Sequence, residues 1–325
     1  MNKKILVVGG CGYVGCELVK KLISLNYEVR VLDLLMYGKN CEDHEKLEII
    51  KGDIRDSNIV NKSLKDIHTV VHLACISNDP SFELNPALGK SINLNSFKPF
   101  LDACDKNKIQ RFIYASSSSV YGIKSEKNVH EEVKKEPITD YSKYKSICED
   151  ILFKEKNNFI KTIIRPATVC GYSKRLRLDL VVNLLTKLAY FENKIKIFGG
   201  SQLRPNIHIQ DMVDAYILLI ESDSKLVHKN IFNAGYENLS LNLIADKIKN
   251  VLNKDLAIEK ISTDDNRSYH ISSKKIKDIL NFTPSRTIDF AIKELLNVFE
   301  SGKLDDPLEN EIYYNIKRMK SLNLC

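Results

Sequence analysis

The stretch ILVVGGCGYVGCELVKKLISLNYEVRVLDLL, residues 5–35, decides the fold. Four apolar residues, three of them β-branched, run straight into Gly9, Gly12 and Gly15. A helix-period segment follows, and a second apolar run then ends at Asp33. A strand, a G-x-x-G-x-x-G turn, a helix and a second strand make half of a dinucleotide-binding unit. Gly9 suits the tight turn, Gly12 the approach of a pyrophosphate to backbone, and Gly15 the close packing of helix on strand. Tyr13 and Val14 open the helix beside the anion, where its unpaired N–H groups and positive dipole end point. Asp33 follows Gly15 by 18 residues, the place from which a carboxylate bonds ribose hydroxyls. It would repel a 2′-phosphate and no arginine follows to compensate, so the motif points to NAD rather than NADP.

The alternation continues outward from this unit. Strands are expected at 5–8, 28–32, 47–51, 69–73, 111–115 and 161–164, with helices near 14–25, 58–64, 92–105 and 141–156. Pro99 predicts a kink or a late start in the third of these helices. Strands of near-continuous apolar residues between helices imply a parallel sheet covered on both faces. Beyond Arg165 the pattern loosens into helices at 180–191, 212–221, 241–252 and 288–299 separated by the short runs IKIFGG, NIHI, NIFNAG and AIEKIS. The expected architecture is α/β: a Rossmann-type doubly wound parallel sheet over residues 1–165, with a smaller α/β substrate-binding part over 166–325. Some later elements return to the main sheet. The polar segment SGKLDDPLENEIYYNIKRMK (301–320) reads as a tail or a surface helix.

Composition excludes several function classes. Of 325 residues, 43% are apolar and 28% charged, and the net charge of +7 (49 basic less 42 acidic) is scattered. No basic patch for nucleic acid or a membrane surface emerges. No apolar run approaches the roughly 20 residues of a membrane span, and the run after Lys3 and Lys4 reaches glycine too early for a signal peptide. A cytoplasmic location is expected. The eight cysteines, at 11, 16, 41, 75, 104, 148, 170 and 325, form no C-x-x-C pair, and the seven histidines are dispersed, so no metal is expected.

DYSKYKSICEDIL places Tyr141 and Lys145 at i and i+4, on one side of a helix. A phenol with a reference pKa of about 10 becomes a base only if nearby positive charge favours its phenolate. Such a phenolate can take a hydroxyl proton while hydride leaves the same carbon. The glycine motif, Asp33, GDIRD (52–56), HLA (72–74), SSSSVYG (116–122) and YSKYK (141–145) stand in one order. In that order the chain resembles, over its whole length, the extended short-chain dehydrogenases/reductases of the nucleotide-sugar epimerase/dehydratase branch. The resemblance implies that Asp53 and Ile54 flank the adenine, and that Leu73, Ala74 and Asn93 line the cofactor. It makes Tyr141 the base, Lys145 its activator and a second cofactor contact, and Ser117 the hydroxyl that shares the substrate proton. It also implies a homodimer through the helix carrying Tyr141 and its predecessor, although Ile147, Ile151 and Leu152 on that helix could equally face the core.

Ser118 and Ser119 occupy the positions where similar sugar 4,6-dehydratases carry Asp-Glu, and serine cannot protonate a leaving hydroxyl at neutral pH. Dehydration is therefore disfavoured. So is inversion beside a ketone of the fucose-synthase kind, which uses a cysteine where Ser119 stands. Hydride chemistry at one carbinol, C4, remains. Arg204 in GGSQLRPNIHIQD and Arg267 in DDNRSYHISSKKI match segments that hold a nucleotide diphosphate. RPATVCGYSKRLRLDLVVN (165–183) departs from the UDP-glucose 4-epimerase pattern at Thr168 and resembles surface-polysaccharide enzymes, including GDP-heptose C4 dehydrogenases. There Thr168, Arg175, Arg177 and Asn183, with Ser117, Ser118 and Ser119, are the expected contacts to the substrate. The reading is an NAD-dependent nucleotide-sugar C4 epimerase working through a 4-keto sugar. A C4 dehydrogenase or ketoreductase needs the same three residues, and a non-catalytic NAD-sensing protein is the alternative of another class.

Overall fold

The computed structural model describes residues 3–263 and 268–325. Its first half runs β1 (Ile5–Val8), α1 (Tyr13–Ser24), β2 (Val29–Asp33), β3 (Leu47–Lys51), α2 (Ser57–Leu64) and β4 (Thr69–His72). Then come the short helices α3 (Asp79–Leu84) and α4 (Pro86–Lys90), followed by α5 (Phe97–Lys106), β5 (Arg111–Ala115), α6 (Asp140–Lys154) and β6 (Ile160–Pro166). The second half begins β7 (Thr168–Cys170), α7 (Val181–Glu192), β8 (Lys194–Phe198), β9 (Leu203–His208), α8 (Ile209–Glu221) and α9 (Ser224–Val227). It closes with β10 (Asn230–Ala234), β11 (Glu237–Ser240), α10 (Leu241–Leu252), β12 (Ala257–Ile261), α11 (Lys274–Leu280), α12 (Ile288–Glu300) and α13 (Asn315–Ser321).

Seven parallel strands form the main sheet in the order 3-2-1-4-5-6-10. Every residue of β1 and β4 is buried, as a strand covered on both faces requires. Ile5, Val7, Val29 and Val31 pack on one face under α1 and α8. Leu6, Val8, Val70, Phe112 and Ile163 pack on the other with Val60 of α2, Phe100 of α5 and Leu152 of α6. Strand order reverses at β1, whose neighbours are β2 and β4, and this switch point opens a crevice at the strands' carboxyl ends. The smaller part has its own core of Val182, Leu185, Ile195, Ile244 and Ile292. Two small sheets, β11-β9-β7 and β12-β8, belong to it, while β10 and α8 return to the main layer.

The disturbance that Pro99 predicts is seen: a π turn spans Ser91–Asn95 and α5 starts late, at Phe97, which puts Pro99 in the first turn, where no N–H is needed. Other features differ from the sequence expectation, which lacked α3 and α4. The strands β7 and β11 were too short for a period of two to show. The segment after 301 is no surface tail: Tyr313, Tyr314, Asn315 and Met319 are buried, and Met319 joins the core of the main sheet. Of the three apolar positions on α6, Leu152 is in the core, Ile151 packs against it and Ile147 is exposed. No helix among the described residues is long and apolar enough to cross a membrane.

His72 ends β4 with its ring edge-on to Phe97 and Phe100, at 5.7 and 5.1 Å between centroids, and neither ring nitrogen has a partner. Burial, reinforced by the Lys145 ammonium, lowers its pKa to about 3. The folded ring is therefore neutral, and below about pH 6.5 only the unfolded chain takes up this proton. Stability from this site falls as pH drops from 6.5 toward 3, with a slope of up to about 1.4 kcal/mol per pH unit. In urea unfolding at pH 7.0 and 5.5, His72→Leu is expected to show a shallower loss than the wild type. Parallel losses in the two proteins would contradict a buried neutral histidine.

Candidate active site

The crevice is a cavity of about 480 Å³. Its first wall is the glycine turn. Gly9 adopts φ +81°, and a Cβ there would sit 2.8 Å from the Ala74 nitrogen. A Cβ on Gly15 would sit 2.3 Å from the Gly9 oxygen, so α1 can pack this closely only on glycine. α1 starts after Gly12 with no side-chain cap and no acid in its first turn, which leaves that end to an external anion. Asp33 accepts from Cys11 N (2.9 Å) and Leu35 N (2.7 Å), and burial raises its pKa. Gly9, Gly12, Tyr13, Val14, Gly15, Asp33, Ile54, Leu73 and Ala74 all line the cavity.

Three expected contacts sit elsewhere. Asp53 is no part of the cavity wall; its carboxylate is clasped by Arg55, from Nε, Nη2 and the backbone N–H, and closes its own turn. The Asn93 amide binds both backbone groups of Ile76, Oδ1 accepting from its N–H and Nδ2 donating to its carbonyl, so it shapes the 75–77 loop from behind. Asn183 is fully buried: Oδ1 accepts from Gly171 N, and Nδ2 donates to Tyr13 Oη and the Arg177 carbonyl. In this structure these side chains pin loops: Arg55 holds Asp53, and the amides of Asn93 and Asn183 are taken up mainly by backbone groups. Arg267 lies outside the described residues.

Ser117, Tyr141 and Lys145 converge on the cavity. Ser117 stands two residues beyond β5 in extended conformation, and its Oγ lies 2.8 Å from Ser119 Oγ. A capping box fixes α6: Ser142 N–H donates to Thr139 Oγ1, and Thr139 N–H donates back to Ser142 Oγ. Tyr141 is thus the second residue of the helix, and Lys145 lies one turn on. Burial, with Cys75 and Asp79 nearby, holds the Tyr141 phenol well above its ordinary pKa, while the Arg177 guanidinium and a hydrogen bond with Ser117 act the other way. Lys145 Nζ donates to the Ala115 carbonyl at 2.6 Å and lies 5.9 Å from the Tyr141 ring centroid. Arg177 thus brings a second positive charge to the phenol beside Lys145, the cation to which the sequence pointed.

Beneath the centre lies a buried polar network. Arg165 on β6 makes two bonds to Glu149 on α6, Nε to Oε1 (2.9 Å) and Nη2 to Oε2 (2.7 Å), with both side chains 2% exposed. Ser116, next to Ser117, donates to the same Glu149, and Arg165 Nη1 donates to Tyr121 Oη. Strand ends β5 and β6 and helix α6 are thereby held in one arrangement. Glu149→Ala leaves the Arg165 charge buried and unpaired, and is expected to cost about 3–5 kcal/mol in urea unfolding. The double variant with Arg165→Met is expected to recover most of that loss. A single variant within about 1 kcal/mol of wild type would show that the pair holds nothing together.

Ser118, Ser119, Thr168, Arg175, Arg177 and Arg204 also line the cavity. Arg204 donates to the Leu203 carbonyl, with its guanidinium 5.7 Å from the Tyr269 ring centroid. The sequence reading missed Tyr37, Cys75, Ser77, Asp79, Tyr269 and Asn315. For Asp79 a signal existed, since Asn78-Asp79-Pro80 is a helix start and Asn78 caps α3. Asn315 carried none, standing in a polar segment 238 residues after Ser77, to which its amide donates. Among the described residues, no group of three or more His, Cys, Asp or Glu is placed to hold a metal.

Comparison with known proteins agrees with this geometry. The NAD dependent epimerase/dehydratase family matches residues 5–235. A UDP-glucose 4-epimerase of Lactobacillus helveticus is 29% identical over 271 residues, covering 76% of this chain and 82% of its own length. The solved UDP-N-acetylglucosamine 4-epimerase of Methanobrevibacter ruminantium, in complex with UDP-N-acetylmuramic acid, superposes with a TM-score of 0.82 at 26% identity, covering 91% of this chain and 99% of that one. A dTDP-glucose 4,6-dehydratase from Streptomyces venezuelae, at 19% identity, shares the fold with a TM-score of 0.83, covering 97% and 99% of the two chains. With the family match reaching from β1 past β10 over a glycine turn, a switch-point cavity and a Ser-Tyr-Lys centre, the chain belongs to the NAD-dependent epimerase/dehydratase family of extended short-chain dehydrogenases/reductases, and NAD is its cofactor.

Proposed function

We propose that the chain is a nucleotide-sugar C4 epimerase. The observation that carries this is the convergence of Ser117 and Tyr141 on the cavity, with serines and no acid at positions 118 and 119. Ser118 is buried and the Ser119 hydroxyl is turned to Ser117, so neither expels water from C6 of a sugar. The 4-epimerase relatives support the same reading, and fold alone does not separate it from dehydration, since a dehydratase shares the fold.

Bound NAD supplies a hydride acceptor and donor beside C4. Tyr141 Oη takes the O4 proton of the carbinol, and Ser117 Oγ holds the same oxygen in line, leaving a 4-keto sugar. Arg204 is placed to hold the substrate diphosphate, with Thr168 and Tyr269 beside it. A sugar tethered only through its diphosphate can turn its ring over. Tyr141 then returns the proton after reduction of the opposite face, and C4 is inverted. The raised phenol pKa favours this second half and opposes the first, in which Tyr141 acts as the phenolate that the positive charge of Arg177 and the hydrogen bond with Ser117 favour. Such an activity serves cell-surface polysaccharide assembly, which consumes C4-epimeric sugar nucleotides.

The test is a panel of UDP-, GDP-, CDP- and dTDP-sugars, with products read by NMR and reduced nicotinamide by absorbance. Inversion at C4 without lasting reduction is expected for one or more members. Stoichiometric, persistent reduction with a 4-keto product would replace this reading with a C4 dehydrogenase. Tyr141→Phe is expected to lower kcat about 10²–10⁴-fold at unchanged cofactor content. Wild-type turnover in that variant would remove Tyr141 from the chemistry.

A further inference from the structure

We propose that Arg175 and Arg177 close over the pyrophosphate of NAD as a second jaw opposite the glycine turn, locked by Asn315, so that the dinucleotide is retained through turnover. This reassigns two residues that the sequence pointed toward the sugar or base of the substrate, and it stands whichever sugar is the substrate.

Their placement is set by docking of the 171–177 segment onto the first turn of α1. Tyr13 Oη donates to the Gly171 carbonyl (2.6 Å), Ser173 Oγ donates to the Tyr13 carbonyl (2.8 Å), and Lys174 N–H donates to Glu17 (3.1 Å). The two arginines are thereby carried to the helix end where a dinucleotide pyrophosphate sits. Arg175, 4% exposed, stacks on the Tyr37 ring at 3.8 Å to the centroid, just beyond Asp33. One of its nitrogens, Nη2, donates to Asn315 Oδ1, while Nε and Nη1 are buried without a partner. Arg177, 7% exposed, binds Asp179 through Nε (2.8 Å) and Ser77 through Nη1 (3.3 Å), and its buried Nη2 has no partner.

Two residues of the cavity wall thus carry three buried guanidinium nitrogens with unmet hydrogen-bonding capacity, a condition that buried polar groups in folded proteins rarely keep. Asp179 answers the charge of Arg177. Asp179 also acts on Arg175, and Asp33, the acid of the cofactor side that feels the Arg175 charge, is already taken up by two backbone N–H groups. Two adjacent guanidiniums with three unmet nitrogens between them fit a diphosphate, which has several anionic oxygens, better than a single carboxylate. Arg204 and Tyr269 stand apart from this group, on the wall formed by β9, and remain for the substrate's own diphosphate. Asn315 completes the closure: its backbone N–H donates to Asp179 (2.9 Å) and its Nδ2 to Ser77 Oγ (3.1 Å). The start of α13 therefore ties both arginines to the loop after β4. A cofactor held in this way has to regain its starting oxidation state inside the site in every cycle.

The test reads cofactor binding and not turnover, so its outcome is separate from the epimerase assignment. Full-length wild type, Arg175→Gln, Arg177→Gln and Asn315→Ala are purified and denatured, and released NAD(H) is quantified by chromatography. Kd for NADH is taken from fluorescence on stripped protein, and Kd for UDP from calorimetry. Near-stoichiometric NAD(H) is expected in the wild type. Each arginine variant is expected to weaken NADH binding about 10–100-fold, the range for one or two charge-assisted hydrogen bonds, with UDP affinity changed less than about threefold. Loss of UDP affinity with NADH binding intact would overturn the proposal and give the arginines to the substrate. Unchanged affinity for both would make them structural. Should an arginine variant fail to fold by circular dichroism, Asn315→Ala decides: faster NADH release supports the lock, and a wild-type release rate overturns it.

Discussion

The ion pair between Arg165 and Glu149 is the constraint on which the site depends. Both charges are withdrawn from water, and such a pair is tolerable only when its geometry is good and the remaining hydrogen-bonding capacity is met. Here it is met from four directions: Ser116, Tyr121, Lys135 and the Glu131 carbonyl all reach the pair. The elements so joined are the end of β5, the end of β6 and the third turn of α6. Those are the elements that carry Ser117, Tyr141 and Lys145. The pair and its partners come from residues spread between 116 and 165, so a shift of one element would strand a charge. A hydrophobic seam could hold the same layers together but would let them slide.

Above this base, the two sides of the cavity are built differently. The cofactor side is backbone: a glycine turn, an uncapped helix end and a carboxylate that ties the turn to β2. Its precision comes from the absence of side chains. The opposite side is made of long side chains, Arg175, Arg177 and Arg204, whose reach is set by what they stack on and bind. Tyr13 joins the sides, since the residue that opens α1 also reaches across to Gly171 and Asn183.

The phenol of Tyr141 shows how these sides meet in chemistry. Burial resists its ionisation, and the positive charge that opposes burial comes from Arg177, a residue of the opposite wall. Lys145, on the same helix as Tyr141, directs its ammonium to the end of β5 and so positions the strand bearing Ser117. The charges around this phenol therefore come from both walls of the cavity and not from the Tyr-x-x-x-Lys helix alone.

Local pattern by itself determined the six strands and four of the helices in the first half, the glycine turn, Asp33 and the candidacy of Ser117, Tyr141 and Lys145. Each of these is written in residues close together along the chain, where period, turn chemistry and spacing are legible. Tertiary structure decided what those patterns could not contain. Asn93 and Asn183 have the residue type of ligand contacts, yet distant backbone groups claim their amides. Asp53 serves its own turn. Arg175 and Arg177 sit beside each other in a surface-like, charged stretch, and only the docking of 171–177 on α1 buries them over the cofactor crevice. The C-terminal segment reads as polar and solvated, yet Met319 is in the core and Asn315 is in the cavity wall. Polar side chains declare hydrogen-bonding capacity in the sequence, but their partners are chosen by which segments the fold brings together.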